Sequence, residues 1–433
     1  MDLRNIISGS PQDEQQFWYE LEKTVMISCE TQADIDEALK TYLKLIANFG
    51  QYLPTEYEWD KCSWFFLEAP LFRTHKSYLR KRIIGRLRKD SSNPRLHLFA
   101  NILLFDGRDR KATFEYMLED NLFGRLVELV RTKRDEDWLL WRVVLDLMYE
   151  MSRMQRLRPQ DFLSINDDFV HYLFGLVEED PYDHEDPYHY PIIRMLLVLN
   201  EQYMLSPSPS GGKCMDVPTN KVIKVLSFHG TRYPRFGENI VLLINRENET
   251  SLQLLILKVL YLIFTTTATY EYFYSNDLRV LVDVIIRNLL DLPEEAGSLR
   301  HTYLRVLYPL LTHSQLSQAP YYKRTEILRM LDTLSNTGST HFEPADPTTM
   351  RLVSRCLSVP WLKTDPEENG VVEKPEKLAH RFLGITLSQK DGESNVSLIE
   401  VAAQNEKPGV ITPSRSRANS KVNQKALQIT QTV

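Results

Sequence analysis

Apolar residues recur along this chain at spacings of three and four, the period at which one face of an α-helix repeats. Between Leu252 and Phe264 the positions Leu252, Leu255, Ile256, Val259, Leu260, Ile263 and Phe264 follow that spacing without a break. Leu254, Leu257 and Leu262 fill much of the remaining circumference, so this helix is expected to be packed on several sides. The next segment repeats the pattern with Leu278, Leu281, Val282, Ile285, Ile286, Leu289 and Leu290. Asn276 and Asp277 are capping residue types just ahead of it, and Pro293 closes it. Comparable stripes run through residues 14–29, 35–49, 78–87, 96–105, 122–130, 138–151, 169–177, 192–204, 217–228, 240–244, 299–311 and 327–334. Alternating strand patterns with hairpin turns are missing, and Pro and Gly fall mainly between the stripes.

So many short helices exceed what one compact bundle holds. Helix pairs recur at roughly 35–45 residues, the period of HEAT and armadillo units. The expected fold is therefore an all-α, armadillo/HEAT-like α-solenoid over residues 1–362. Two loops should interrupt it, an acidic, proline-bearing one at 178–191 and a Ser/Pro/Gly-rich one at 206–217. Residues 363–433 are rich in Ser, Pro, Asn and Gln and poor in aromatics, so a disordered tail is expected there.

Composition sharpens this picture. Hydrophobic residues make up 43% and charged ones 25%, enough to bury a core. A net charge of −6 and a pI near 6.0 argue against nucleic acid as partner. Cys29, Cys62, Cys214 and Cys356 form no C-x-x-C pair, so free thiols are expected rather than a disulfide or zinc framework. The first 16 residues are polar and acidic, without an apolar signal core. The greasiest run, Leu252 to Phe264, is 13 residues long and carries Gln253 and Lys258, too short and too polar to span a bilayer. A cytoplasmic protein without a transmembrane segment is the expectation.

Catalytic equipment is absent from the motifs. No G-x-S-x-G elbow, phosphate loop, G-x-G-x-x-G or H-E-x-x-H occurs, so neither an enzyme nor a resident cofactor is expected. His184 and His189, flanked by Asp183, Glu185 and Asp186, have metal-ligand chemistry, but a solvated acidic loop explains them as well. Eight cations and no acid lie from Arg73 to Lys89: Arg73, Lys76, Arg80, Lys81, Arg82, Arg86, Arg88 and Lys89. They read either as a solvated face or as a site for an acidic protein or anionic lipid. Within the greasy helices, Arg279, Asp283 and Arg287 stand four apart, as intrahelical ion pairs or as a partner-facing line. Lys258 and Tyr261, and Arg300, Tyr303 and Arg305, interrupt two other helices.

Five stretches carry a resemblance: DPYHYPIIRMLLVLNEQYM (186–204), FGENIVLLINRE (236–247), LQLLILKVLYLIFTTTATYEYFYSNDLRVLVDVIIRNLLDLPEE (252–295), LRHTYLRVLYPLLTH (299–313) and PYYKR (320–324). They resemble the leucine-rich domain of the WISH/DIP family, whose fungal members are the diaphanous-interacting-protein and low-dye-binding homologues. Vertebrate members carry an added Src-homology-3 domain and a proline-rich region; this chain, which starts almost directly with helices, resembles a fungal member. The resemblance implies an armadillo-type fold and activation of the actin-related protein 2/3 complex without a preformed filament. It also implies linear seed filaments at endocytic cortical actin patches, and a groove that holds a long helix of a small scaffolding subunit.

On that implication the groove candidates are Asn200, Glu201, Lys258, Arg279, Asp283, Arg300 and Tyr303, with Lys76 and Arg80 of the basic segment as a second contact. Formin or Src-homology-3 proteins are further candidate partners. The alternative function is an armadillo-type adapter that binds a GTPase or a formin and nucleates nothing. A membrane adapter that puts the basic segment on phosphoinositides is a third. In the tail, Arg417 three residues before Ser420 is a pattern that basophilic kinases accept.

Overall fold

The computed structural model describes residues 13–179, 186, 189–206, 218–335 and 346–363. The expected tail, His184, Cys214 and most of the two expected loops lie outside the described residues. Among those described there are twenty α-helices and no strand, and they fall into two compact units, residues 13–169 and 170–363.

The first unit runs α1 (Glu14–Val25), α2 (Gln32–Asn48), α3 (Glu56–Glu68), α4 (Pro70–Thr74), α5 (Lys76–Lys89), α6 (Asn93–Asp109), α7 (Ala112–Glu119), α8 (Leu122–Thr132), α9 (Trp138–Met154) and α10 (Pro159–Ser164). Its spine is α3 on α6 and α6 on α9, with the intervening helices laid over that row. Local chemistry sets the starts. Thr31 and Asp34 form a capping box on α2, Thr55 and Glu58 another on α3, and the Asp137 carboxylate accepts from the Leu140 amide at 2.9 Å to start α9. Gly107 lets α6 meet the Phe114 ring, which a Cβ there would approach to 2.2 Å.

The second unit begins within α11 (Asp167–Glu178). It continues through α12 (Tyr190–Leu205), α13 (Lys221–His229), α14 (Pro234–Arg246), α15 (Thr250–Thr265), α16 (Ser275–Asp291), α17 (Gly297–His313), α18 (Arg324–Ser335), α19 (Pro347–Leu357) and α20 (Pro360–Lys363). Its spine is α12–α15–α17–α19, each helix packed on the next. A spine helix at every third or second position is the packing of armadillo and HEAT repeats. The expected all-α class holds, and α15 is buried on nearly all sides as its sequence predicts. Several helices went unpredicted, α3, α7, α10 and α19 among them. Cys29, Cys62 and Cys356 are free, buried thiols.

One buried polar group makes the first spine responsive to acid. His97 of α6 is 1% exposed and stacks on Trp59 of α3, ring centroids 4.1 Å apart. Burial pushes its imidazole down to about 3 from an ordinary 6.5. The unfolded chain therefore takes up a proton below pH 6.5 that the folded chain refuses. The stability tied to a neutral His97 is complete above pH 6.5 and falls as pH drops toward 3, by at most about 1.4 kcal/mol per pH unit. His97→Phe is expected to flatten this part of the profile, measured by urea melts of both proteins between pH 7 and pH 4.5.

Candidate protein-interaction surface

In the second unit the candidate groove residues divide into two kinds. Five are internal fasteners. Glu201 of α12 is 1% exposed and meets the Lys258 ammonium of α15 at 2.8 Å. Asn200, also buried, accepts from the Asn220 amide at 2.8 Å. The buried Tyr303 hydroxyl accepts from Asn288 at 2.8 Å and donates to Gln253 at 3.2 Å, joining α17 to α16 and α15. Arg300 donates to the carbonyls of Pro293 at 2.9 Å and Leu292 at 3.2 Å and so closes the turn between α16 and α17. Asn200, Glu201 and Tyr303, expected on a groove wall, are thus core residues: their polar atoms are spent on neighbouring elements. Lys258 is half-buried and faces solvent only in part.

The other two are open to solvent. Arg279 is exposed, its guanidinium 5.5 Å from the Tyr322 ring centroid. Asp283 accepts from Lys323 at 2.9 Å and from the Tyr322 hydroxyl at 3.1 Å. The intrahelical pairs expected from the spacing of Arg279, Asp283 and Arg287 are therefore replaced. The segment after α17 supplies Asp283's cation, and Arg287 turns to the Asn245 carbonyl at 3.3 Å.

The basic segment of the first unit is less basic than its sequence. Arg80, 7% exposed, is locked to Asp106 of α6 through two bonds of 2.6 Å, which raise its own pKa. It is unavailable to an acidic partner. Arg82 is paired with Asp36 of α2, Arg73 with Glu68, and Arg88 with Asp120 at 3.2 Å. These acids come from other helices and other parts of the chain, which a local reading of residues 73–89 misses. Lys76 and Arg86 remain half-exposed, and Lys81 and Lys89 exposed.

A more uniform charge lies on the last three spine helices. Residues 250–265, 297–313 and 347–357, which are α15, α17 and α19, contain no Asp or Glu and carry Lys258, Arg300, Arg305, Arg351 and Arg355. Arg355 stacks on Tyr308 with its guanidinium 4.3 Å from the ring centroid. Burial lowers the pKa of Arg305, and the nearby Arg351 lowers it further. The Tyr261 hydroxyl is buried without a hydrogen-bond partner, with Arg355 and Arg305 close by. The sequence flags Tyr261 and Arg305 as interruptions of greasy helices. Arg351 and Arg355 were missed because α19 has too few aliphatic residues to show a stripe, and Tyr308 of α17 was passed over within a stripe that reads as core. Among the described residues no three His, Cys, Asp or Glu side chains are grouped to hold a metal ion, and no helix is long and apolar enough to cross a membrane. His189, a candidate ligand, places its Nε2 3.0 Å from the Glu179 carbonyl.

Spine helices joined by internal polar fasteners, with a cationic face left over, define a helical-repeat protein of the armadillo/HEAT type. The particular kind is given by comparison with known proteins. Residues 185–327 match the SPIN90/Ldb17 leucine-rich domain, which supports the resemblance to the WISH/DIP family. It is 28% identical over 369 residues to the protein dip1 of Schizosaccharomyces pombe, covering 84% of this chain and 97% of that relative. To the LDB17 proteins of Eremothecium gossypii and Saccharomyces cerevisiae it is 28% and 27% identical, covering 84% of this chain and 87% and 84% of theirs.

Two neighbours in the basic segment should behave oppositely. Arg80→Ala strands the Asp106 carboxylate in the interior and is expected to cost about 3–5 kcal/mol. Lys76→Ala, at a half-exposed site, should stay within about 0.5 kcal/mol. Chemical denaturation of the two variants beside the parent protein measures both.

Proposed function

We propose that this chain binds the actin-related protein 2/3 complex and activates it without a preformed filament, producing linear filaments that seed branched networks at endocytic cortical actin patches. The observation that carries the reading is the likeness to dip1 and LDB17, which runs over 84% of the chain rather than over one short motif. The fold supports it by what it offers, a succession of helices with external faces for gripping another protein's helix. On this reading the protein is not an enzyme. It works in the cytoplasm, and its chemistry is selective binding.

Activation needs more than attachment. A ligand that binds the inactive and active arrangements equally shifts nothing, and moving a 1:99 population to 99:1 takes about 5.5 kcal/mol of preference. The helical spine suits that requirement, because buried ion pairs and hydrogen bonds hold its faces in fixed register. Arg279, exposed beside the Tyr322–Lys323–Asp283 group, is the groove candidate with its charge still directed outward.

Assembly of monomeric actin with the purified complex, this chain and no other activator tests the reading. The lag should shorten, and single-filament imaging should show unbranched filaments. An unchanged lag rejects the proposal, and nucleotide-dependent capture of a Rho-type GTPase in its place would favour an adapter. Arg279→Glu is expected to lower activation several-fold with an unchanged thermal melt; full activity in that variant removes Arg279 from the contact.

A further inference from the structure

The cations of α5 meet different fates. The helix carries Lys76, Arg80, Lys81, Arg82, Arg86, Arg88 and Lys89, and no Asp or Glu. Arg80 is buried on Asp106, while Arg82 and Arg88 hold Asp36 and Asp120 in pairs at the surface. Lys76, Lys81, Arg86 and Lys89 make no ion pair among the described residues, and Lys81 and Lys89 are exposed. Between those two lysines, four positions from each, stands Gly85. Residues four apart share a helix face, so Lys81, Gly85 and Lys89 form one outward row about 12 Å long. Nothing inside the chain calls for that glycine. A Cβ at Gly85 would meet no atom within 4 Å, whereas one at Gly107 of the same unit would run into the Phe114 ring. Glycine weakens an exposed helix interior, because it has more backbone freedom to lose than any other residue.

A bare stretch of helix backbone between two ammonium groups is suited to close approach from outside. We propose that Lys81, Gly85 and Lys89 form a contact surface for an anionic lipid bilayer. Headgroup phosphates settle in the notch at Gly85, the two ammonium groups close on them from either side, and Lys76 and Arg86 add long-range attraction. The chemistry of the row favours a bilayer over a folded partner. Lysine is a flexible point charge with rotatable donors, which adapts to a fluid array of phosphates. Protein partners are held chiefly by aromatic and aliphatic anchors, and α5 contributes none of the large exposed hydrophobic side chains among the described residues. Anionic membranes need no such anchor, since each Lys or Arg near the surface strengthens attachment roughly fivefold. A few cations give a weak, reversible contact that salt releases. This goes beyond the proposed activity: it concerns where the chain rests, without depending on what it activates there.

The test uses the full chain, with neither actin nor the complex present, so its outcome is separate from that of the assembly assay. The chain is sedimented with phosphatidylcholine vesicles containing about 30% phosphatidylserine, and with vesicles of phosphatidylcholine alone. Wild type should bind the first and not the second, and rising salt should release it. Lys81→Gln/Lys89→Gln should bind roughly tenfold more weakly or worse, with an unchanged thermal melt because both side chains are exposed. Gly85→Gln separates a structural role from a contact. It should melt higher, since glutamine is the better helix former and has open space, yet bind the vesicles roughly threefold more weakly because its side chain holds the headgroups off. Vesicle binding by either variant as tight as the parent's overturns the proposal. So does retention of a DNA duplex in preference to the vesicles at equal phosphate, which would assign the row to a nucleic acid.

Discussion

An α-helix that is apolar around most of its circumference has no stable existence in water, and two such helices, α6 and α15, sit at the middle of the two units. Each buried large aliphatic side chain contributes roughly 1.5–3 kcal/mol only once the surface around it is covered. Fifteen-residue helices contribute little by themselves. The remaining architecture follows from covering these two. A neighbour must lie on each flank, which gives the rows α3–α6–α9 and α12–α15–α17, and shorter helices must close the outer side. A stack of this kind grows by repetition because every added helix offers one further apolar flank.

Apolar flanks alone leave the sliding of one helix over the next poorly determined, and buried polar pairs are placed where they fix it. Between α3 and α6 the Asn101 amide reaches Asp60 at 3.1 Å; between α6 and α9 Arg108 meets Glu150 at 3.1 Å. Lys258–Glu201 does the same for α15 and α12, and for α17 on α15 the contacts are Tyr303 with Gln253 and His313 with the Phe264 carbonyl at 2.8 Å. A displacement by one turn would leave each of these groups buried without its partner, a penalty of about 1–3 kcal/mol for a neutral group and more for a charged one. Specific register follows from the cost of breaking these pairs more than from their attraction.

This explains what the sequence discloses and what it hides. The stripe of residues 252–264 announces a buried helix because leucine and isoleucine at helical spacing have few other uses. α3 escapes notice because its inward residues are Trp59, Cys62, Ser63 and Phe66, a mixed set whose common face shows only in the fold. α19 escapes because Thr349, Leu352, Val353 and Cys356 make a narrow stripe. Charge is harder still. Arg80 and Lys81 are adjacent and chemically alike, yet one is buried on Asp106, 26 positions along, and the other is in water. Lys258 was singled out as a polar residue in a greasy helix and Glu201 as a groove candidate. They turn out to be each other's partner, 57 positions apart, so oddity in a sequence marks either a fastener or a contact and does not distinguish them.

The distinction comes from asking which charges the fold leaves unanswered. Evolution of a stack under stability alone would place an acid opposite Arg305, as it has opposite Arg108, or replace the arginine by a neutral residue. Retaining guanidinium groups beside each other on α17 and α19, with burial already lowering the pKa of one of them, is a standing cost to the free chain. A cost of that kind is compatible with a marginally stable protein only while it is small or while something offsets it. The same stack thus assigns its charges by position: those between spine helices hold the register, while Arg305, Arg351 and Arg355 on α17 and α19 make no ion pair among the described residues.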